Sequence, residues 1–421
     1  MKNPLIETLR GLRGNPRACV FTEPLWGLSM NLCLPYASVY MLALGLHDAD
    51  IGFVTTVYML SQVVFGLLGG VITDKLGRRL TTAVFDFFAW CVPCVIWFLA
   101  RDFWFFLGAA LVNGMMKITQ NSWDCLLVED AEKAEITKIY SLVIICGQLS
   151  ALFAPIASIL VSRLSLVPAV RILYANAFVV MTVKIALLYT FSRETGAGIV
   201  RKRETKGKRI AALLSGYGGV LRIIGRSRGT RFSLVIAALV GAVNMVNITF
   251  WQVIASKRLL VPDALLPLFP MFRSILAIIF LFTVIPHITG AVRLKRPLVI
   301  GFTAYIAGQA LLIATPGGLG LATYAVLCVS LLFDGFGNGS LMMLAESVVA
   351  LYVNKAERAR VMAIQHMIIM LATAPFGWIG GILSGISRIL PFTLNIALLG
   401  SGILVTLVFY RKEDREAPAG N

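Results

Sequence analysis

Charge is scarce in this chain, and acid is the scarcer half of it. Only 14% of the 421 residues are Asp, Glu, Lys or Arg; 21 acids stand against 38 bases, a formal net charge of +17, and there are three histidines. That shortage bears on chemistry. No set of His, Cys, Asp and Glu has the spacing of metal ligands, no glycine-rich loop is built to cradle phosphates, and no nucleophile, base and orienting acid form a recognisable relay. The chain therefore does not read as an enzyme, and neither a cofactor nor a metal is expected. A large soluble domain is missing too, which argues against a membrane-bound sensor. The seven cysteines fall within or beside apolar runs, where a thiol behaves as a small hydrophobe. Cys91-Val92-Pro93-Cys94 has redox or metal spacing, but it lies in the middle of such a run. No cleavable signal peptide is evident: Lys2, Arg10, Arg13 and Arg17 precede an apolar run too long for one, so the first apolar segment reads as its own insertion signal.

What the chain has in abundance is apolar surface. Hydrophobic residues make up 58% of it, and the mean hydropathy is +0.83. A bilayer core of roughly 30 Å takes about 20 apolar residues per helix, so the composition alone indicates a multi-pass helical membrane protein. Twelve spans are expected, at roughly 18–44, 49–73, 80–100, 103–130, 138–163, 166–192, 231–256, 263–289, 297–315, 319–352, 360–386 and 389–411. A short surface helix over 3–13 precedes them, with Ile6, Leu9 and Leu12 on one side.

The basic residues sit in the short loops, which makes them topology signals and not a nucleic-acid surface. By these boundaries 29 of the 38 lie on one side of the membrane and six on the other, with Lys117, Lys184 and Arg273 inside spans. The excess places both termini in the cytosol. Residues 193–230 join two halves, 1–192 and 231–421. The basic run Arg201–Arg209 is followed by Ile210, Leu213, Leu214, Tyr217 and Leu221 at helical spacing, the pattern of an interfacial helix on anionic headgroups. The halves look like weak repeats. Lys133-Ala134-Glu135 recurs as Lys355-Ala356-Glu357, the same offset carries Asp124 onto Glu346, and Ala154-Pro155 recurs as Ala374-Pro375.

One turn stands apart: Gly70-Val71-Ile72-Thr73-Asp74-Lys75-Leu76-Gly77-Arg78-Arg79, between the second and third spans. Gly70 suits close helix approach, and Gly77 a backbone that other residues resist. Asp74 is placed to cap a helix N-terminus. The spacing resembles the loop 2–3 signature of the major facilitator superfamily at every fixed position. The resemblance covers roughly residues 18–411. It implies an all-α membrane protein of twelve transmembrane helices in two pseudo-symmetric six-helix bundles, working as a monomeric secondary active transporter in the cell membrane. It also implies a gate at this turn, formed by Gly70, Asp74, Gly77, Arg78, Arg79 and Asp130, with Arg78 reaching Asp130 and Asp74 against the start of the eleventh span, around 358–362. The corresponding turn of the second half, Thr289–Arg296, keeps its bases and lacks the Asp.

Polar residues inside spans mark the substrate and proton path. On the fourth span Asn113, Lys117, Gln120 and Asp124 fall within about 60° of one another on a regular helix, with Lys117 about 20 Å from either end. The tenth supplies Asp334, Asn338 and Glu346; the seventh Asn244, Asn247 and Trp251; the first Asn31, with Glu23 and Gly27 nearby; the eighth Arg273. Asp334 is the expected counter-ion of Lys117 or Arg273. Lys184 reads as a snorkelling residue, Asp86 as a partner of Arg78 and Arg79, and His366, near the cytosolic start of the eleventh span, as a candidate for a gate or proton role. The fifth span carries Gly147, Ala154 and Pro155, a degenerate form of the drug–proton antiporter signature. Burial disfavours a charged carboxylate and a nearby base favours it, so Asp124, Asp334 and Glu346 are the candidate proton carriers. The expected partners are a small polar or charged organic solute, a proton and membrane lipids. The alternatives are a multidrug-type proton antiporter and a non-transporting sensor or scramblase on the same fold.

Overall fold

A computed structural model describes residues 4–132, 134–208, 227–283, 294–318, 320–352 and 358–416, and these form helices and turns with no strand among them. Ten helices are long and apolar enough to cross a membrane: Asp48–Leu76, Arg78–Leu99, Ile136–Leu164, Leu166–Phe191, Arg228–Lys257, Asp263–Phe280, Lys295–Ala314, Leu321–Ala345, Ile364–Ile386 and Leu390–Arg411. These are the second, third and fifth to twelfth expected spans. The first and fourth are also helical, and each is broken.

The first span runs as Gly14–Cys33, a 3-10 turn Leu34–Tyr36 and Ala37–Ala43. Pro35 sits in the break, where a missing amide ends the regular ladder. The fourth runs as Phe103–Asn113 and Met116–Val128. Its break is a packing feature. A Cβ on Gly114 would lie 2.1 Å from Ser61 Oγ, so the second span crosses there against bare backbone. The Met115 amide bonds Val112 and not Leu111; the Ser61 hydroxyl donates to the Leu111 carbonyl instead, at 2.7 Å. The third span carries a widened turn, Phe87–Cys91, of the kind often found at functional sites. Asn113 inserts its amide there and donates to Ala89 O at 2.6 Å.

The chain divides into two compact units that interleave in sequence. One holds residues 1–46, 57–216 and 263–274; the other holds 47–56, 217–262 and 275–421. The first nine residues of the second span, 48–56, therefore pack with the second unit. Glycine explains why. A Cβ on Gly52 would stand 2.3 Å from Gly377 O, and one on Gly381 2.5 Å from Asp48 O. Thr56 completes the seam: its hydroxyl donates to Ala374 O at 2.7 Å and accepts from the Trp378 amide at 2.9 Å, entering the ladder beside Pro375. Asp48 pairs with Arg388 and accepts from Ser384 Oγ at 2.8 Å.

The core of the first unit gathers Leu12, Cys19, Leu126, Leu127, Ile139 and Leu188, with Leu9 packed against it. The short helix Pro4–Gly11 is present, but Leu12 just beyond it is buried in this core, not laid on a membrane surface. In the second unit Phe232, Val240, Leu298, Phe302 and Leu341 form the core, and Phe232 stacks on Phe409 with ring centres 4.0 Å apart.

Candidate functional site

The Gly70–Arg79 turn is the centre of a charged knot in the first unit. Gly77 has φ +91°, the left-handed region. Arg78 follows, buried, and its guanidinium grips Glu129 through two nitrogens, Nε to Oε2 at 3.1 Å and Nη2 to Oε1 at 3.0 Å; Nη1 donates to Asp74 at 3.0 Å. The carboxylate of Glu194 accepts from the amides of Arg78 and Arg79 at 2.8 and 3.2 Å, so it caps the first turn of the third span. The Arg79 guanidinium lies 3.9 Å over the Tyr189 ring and donates to Tyr189 O.

Several expectations change here. The acid that takes Arg78 is Glu129, not Asp130. One residue along a helix is a rotation of 100°, and Asp130 instead accepts from Asn15 at 3.0 Å. Gly70 has open space where a Cβ would go; the close approach is at Gly69, whose Cβ would lie 3.2 Å from Lys117 O. Asp86 does not pair with Arg78 or Arg79, and Lys184 does not snorkel. They pair with each other, with side chains 2% and 4% exposed. Glu194, the cap, was not singled out from the sequence; an acid shortly after an expected span end was the available signal. The side chains of residues 358–361, where Asp74 was expected to dock, lie outside the described residues, as do residues 289–293, the interfacial-helix stretch 210–221 and the Glu346 side chain.

The same unit encloses a cavity of about 200 Å³. Its walls come from the first, third, fourth and sixth spans and include Glu23, Asp86, Asp124 and Lys184, three tryptophans (Trp26, Trp90 and Trp123), Thr119 and Gln120. Lys117 donates to Oε1 of the lining Gln120 at 2.8 Å. The break at Gly114 separates the expected stripe: Lys117, Gln120 and Asp124 stay together, and Asn113 turns to the third span. Asn31 is also spent on helix contact, donating to Gly147 O at 3.2 Å.

The second unit holds a polar chain in its interior. Asn338 accepts from Asn244 at 2.8 Å, Asn244 from the Tyr305 hydroxyl at 3.2 Å, and that hydroxyl from Asn247 at 3.1 Å. Asn395 donates to Asn247 and to Gln309, and Gln309 Nε2 lies 2.9 Å from both oxygens of Asp334. Asp334 is 2% exposed and packs over Gly308, whose Cβ would lie 2.2 Å from Oδ1. The chain joins the expected Asn244, Asn247, Asn338 and Asp334 to Tyr305, Gln309 and Asn395, which sequence reasoning missed because they lie on the ninth and twelfth spans. Trp251 is buried, Arg273 half-buried and His366 exposed.

Residues 25–318 match the family model described as Major Facilitator Superfamily. A 57-residue stretch is 35% identical to the quinolone resistance protein NorA of Staphylococcus aureus; it covers 14% of this chain and 15% of that protein's length. Among solved structures, the fold is similar to the nucleoside transporter NupG, with TM-score 0.71 at 15% identity over 95% of this chain and 99% of that one. It is also similar to the peptide transporter POT in complex with sulfate, with TM-score 0.66 at 16% identity over 98% of this chain and 99% of that one.

Proposed function

The chain belongs to the Major Facilitator Superfamily of membrane transporters, and from that membership we propose that it moves a small polar or charged organic solute across the cytoplasmic membrane by alternating access, coupled to protons, with both termini in the cytosol. One observation carries the reading. Glu23 and Asp124 stand in a cavity among crossing helices beside Lys117 and Lys184. Ionisable groups at such depth are costly, and their ordinary explanation is a substrate or ion path. The solute class is supported by the fold neighbours, whose names give nucleosides and peptides as cargo. In the proposed cycle a carboxylate whose surroundings change between two states loads a proton in one and releases it in the other. Asp124 in the first unit and Asp334 in the second are the carriers proposed.

Flux in proteoliposomes under an imposed pH gradient tests this, with a nucleoside, a dipeptide and a quinolone as the first cargoes. Gradient-driven movement of one of them, lost in Asp124→Asn, is the expected result. Flux unchanged by collapsing the gradient removes the proton coupling, and absence of flux across a broad solute panel removes the transport reading. The short match to a quinolone resistance protein favours a second reading, proton-driven drug efflux. It predicts that the quinolone is the cargo that moves.

A further inference from the structure

We propose that the cavity of the first unit is a binding site for a monovalent organic cation, a substituted ammonium that carries an oxygen acceptor a few ångström from its charge. The proposal rests on the transport reading only in treating the ligand as cargo; the site itself stands on the cavity.

Charge is the first argument. Three carboxylates and one lysine line the space. Asp86 and Lys184 are paired and buried, so they neutralise one another. That leaves Glu23 and Asp124, neither of which has a hydrogen bond or ion pair among the described residues. Lys117, two turns before Asp124 on the same helix, is held on Gln120. With both carboxyls ionised the site carries one negative charge more than its lysines offset, and a bound cation would favour that form over the neutral acids that burial alone favours.

The walls are the second argument. Trp26 and Trp90 meet edge to face, with ring centres 5.5 Å apart and planes at 77°, and Trp123 lines the same space. Indole faces attract a cation through their quadrupole, tryptophan most strongly of the aromatic side chains, and alkylated ammonium groups are recognised in this way. Indole carbon does not ligate a metal ion, which argues for an organic head of low hydration over sodium.

Two orphaned polar groups specify the rest. Thr119 is 5% exposed, and neither its Oγ1 nor the buried Trp123 Nε1 has a hydrogen-bond partner. Both side chains line the cavity. An indole N–H is only a donor, so it seeks an oxygen or nitrogen acceptor and not the cation. A ligand with ammonium and acceptor on one small frame would meet the two carboxylates directly and the two orphans, which lie just behind the wall, once the wall yields to it. A volume of about 200 Å³ holds such a molecule.

Choline is the probe for this site. Its uncharged isostere 3,3-dimethylbutan-1-ol has the same shape without the charge, and tetramethylammonium has the charge without the oxygen. Binding is followed by tryptophan fluorescence and calorimetry on the purified full-length protein at constant ionic strength. Choline is expected to bind saturably, the isostere at least tenfold more weakly and tetramethylammonium several-fold more weakly. Glu23→Gln and Asp124→Asn are each expected to weaken choline at least fivefold at an unchanged melting temperature. Should either variant melt early, Trp26→Leu provides the second measurement, with a loss of about fivefold expected from one missing cation–π wall. The site is overturned if neither choline nor tetramethylammonium binds, if the isostere binds within twofold of choline, or if sodium alone gives the same signal. Choline bound but no solute carried keeps the site and removes the transport; solute carried with no cation bound does the reverse.

Discussion

Lys184 and Asp86 make the sharpest test of how this fold holds charge. Both side chains are almost fully enclosed, 4% and 2% exposed, on the sixth and third spans. Removing one partner leaves an uncompensated charge in a medium that solvates it poorly, and such breaks cost about 3–5 kcal/mol. Replacing both with apolar groups of similar size removes attraction and desolvation together and is often close to neutral. For a unit of this size, 1 kcal/mol moves the melting temperature by about 2–4 °C. Lys184→Met alone should therefore lower it by about 6–20 °C, and Asp86→Leu/Lys184→Met should recover most of that loss. The assay is thermal melting in nanodiscs, all variants at one scan rate, completed as a double-mutant cycle. A lysine that reached the headgroups would behave otherwise: its loss would move the melting point by less than 2 °C. That result, or a double variant as unstable as the sum of the singles, refutes the reasoning.

Three further outcomes are expected. Gly77→Ala forces a Cβ to within 2.4 Å of Glu194 Oε2 at a φ of +91° and should cost about 1–3 kcal/mol in the same melting assay. Glu129→Gln should destabilise by about 2–3 kcal/mol, because it weakens the two-point grip on Arg78; Asp130→Asn should cost markedly less, and equal losses would mean that Arg78 is shared between them. In a background cleared of native cysteines, His47→Cys should label from outside the cell and Gly207→Cys should not; the reverse pattern overturns the proposed orientation.

The helical class and most span boundaries were legible because lipid demands long apolar runs. The turn at Gly77 was legible because its demand is local and steric. Pairings were not. Asp86 and Lys184 are 98 residues apart, and nothing in either neighbourhood names the other. The choice of Glu129 over Asp130 depends on a 100° rotation set by where the fourth span breaks, and that break at Gly114 depends on Ser61 crossing it. Asn395 and Gln309 lie on the twelfth and ninth spans, where no site residue was expected. Only the packing of four helices shows that they connect Asp334 to Asn247.

The knot beneath the first unit has a consequence for synthesis. Its last strands of contact come late in the chain: Arg193 bonds Asn15, Glu194 caps Arg78, Thr195 reaches Glu129, and Thr205 donates to Asp74 O. Domains form largely as the ribosome delivers them, at roughly 5–20 residues per second. The six spans of the first half thus emerge ahead of the residues that tie them. A released piece ending at residue 192 would have every helix and no clasp, and one ending at residue 206 would have both. A split transporter made from two co-expressed pieces should be cut after Lys206, not at the end of the sixth span.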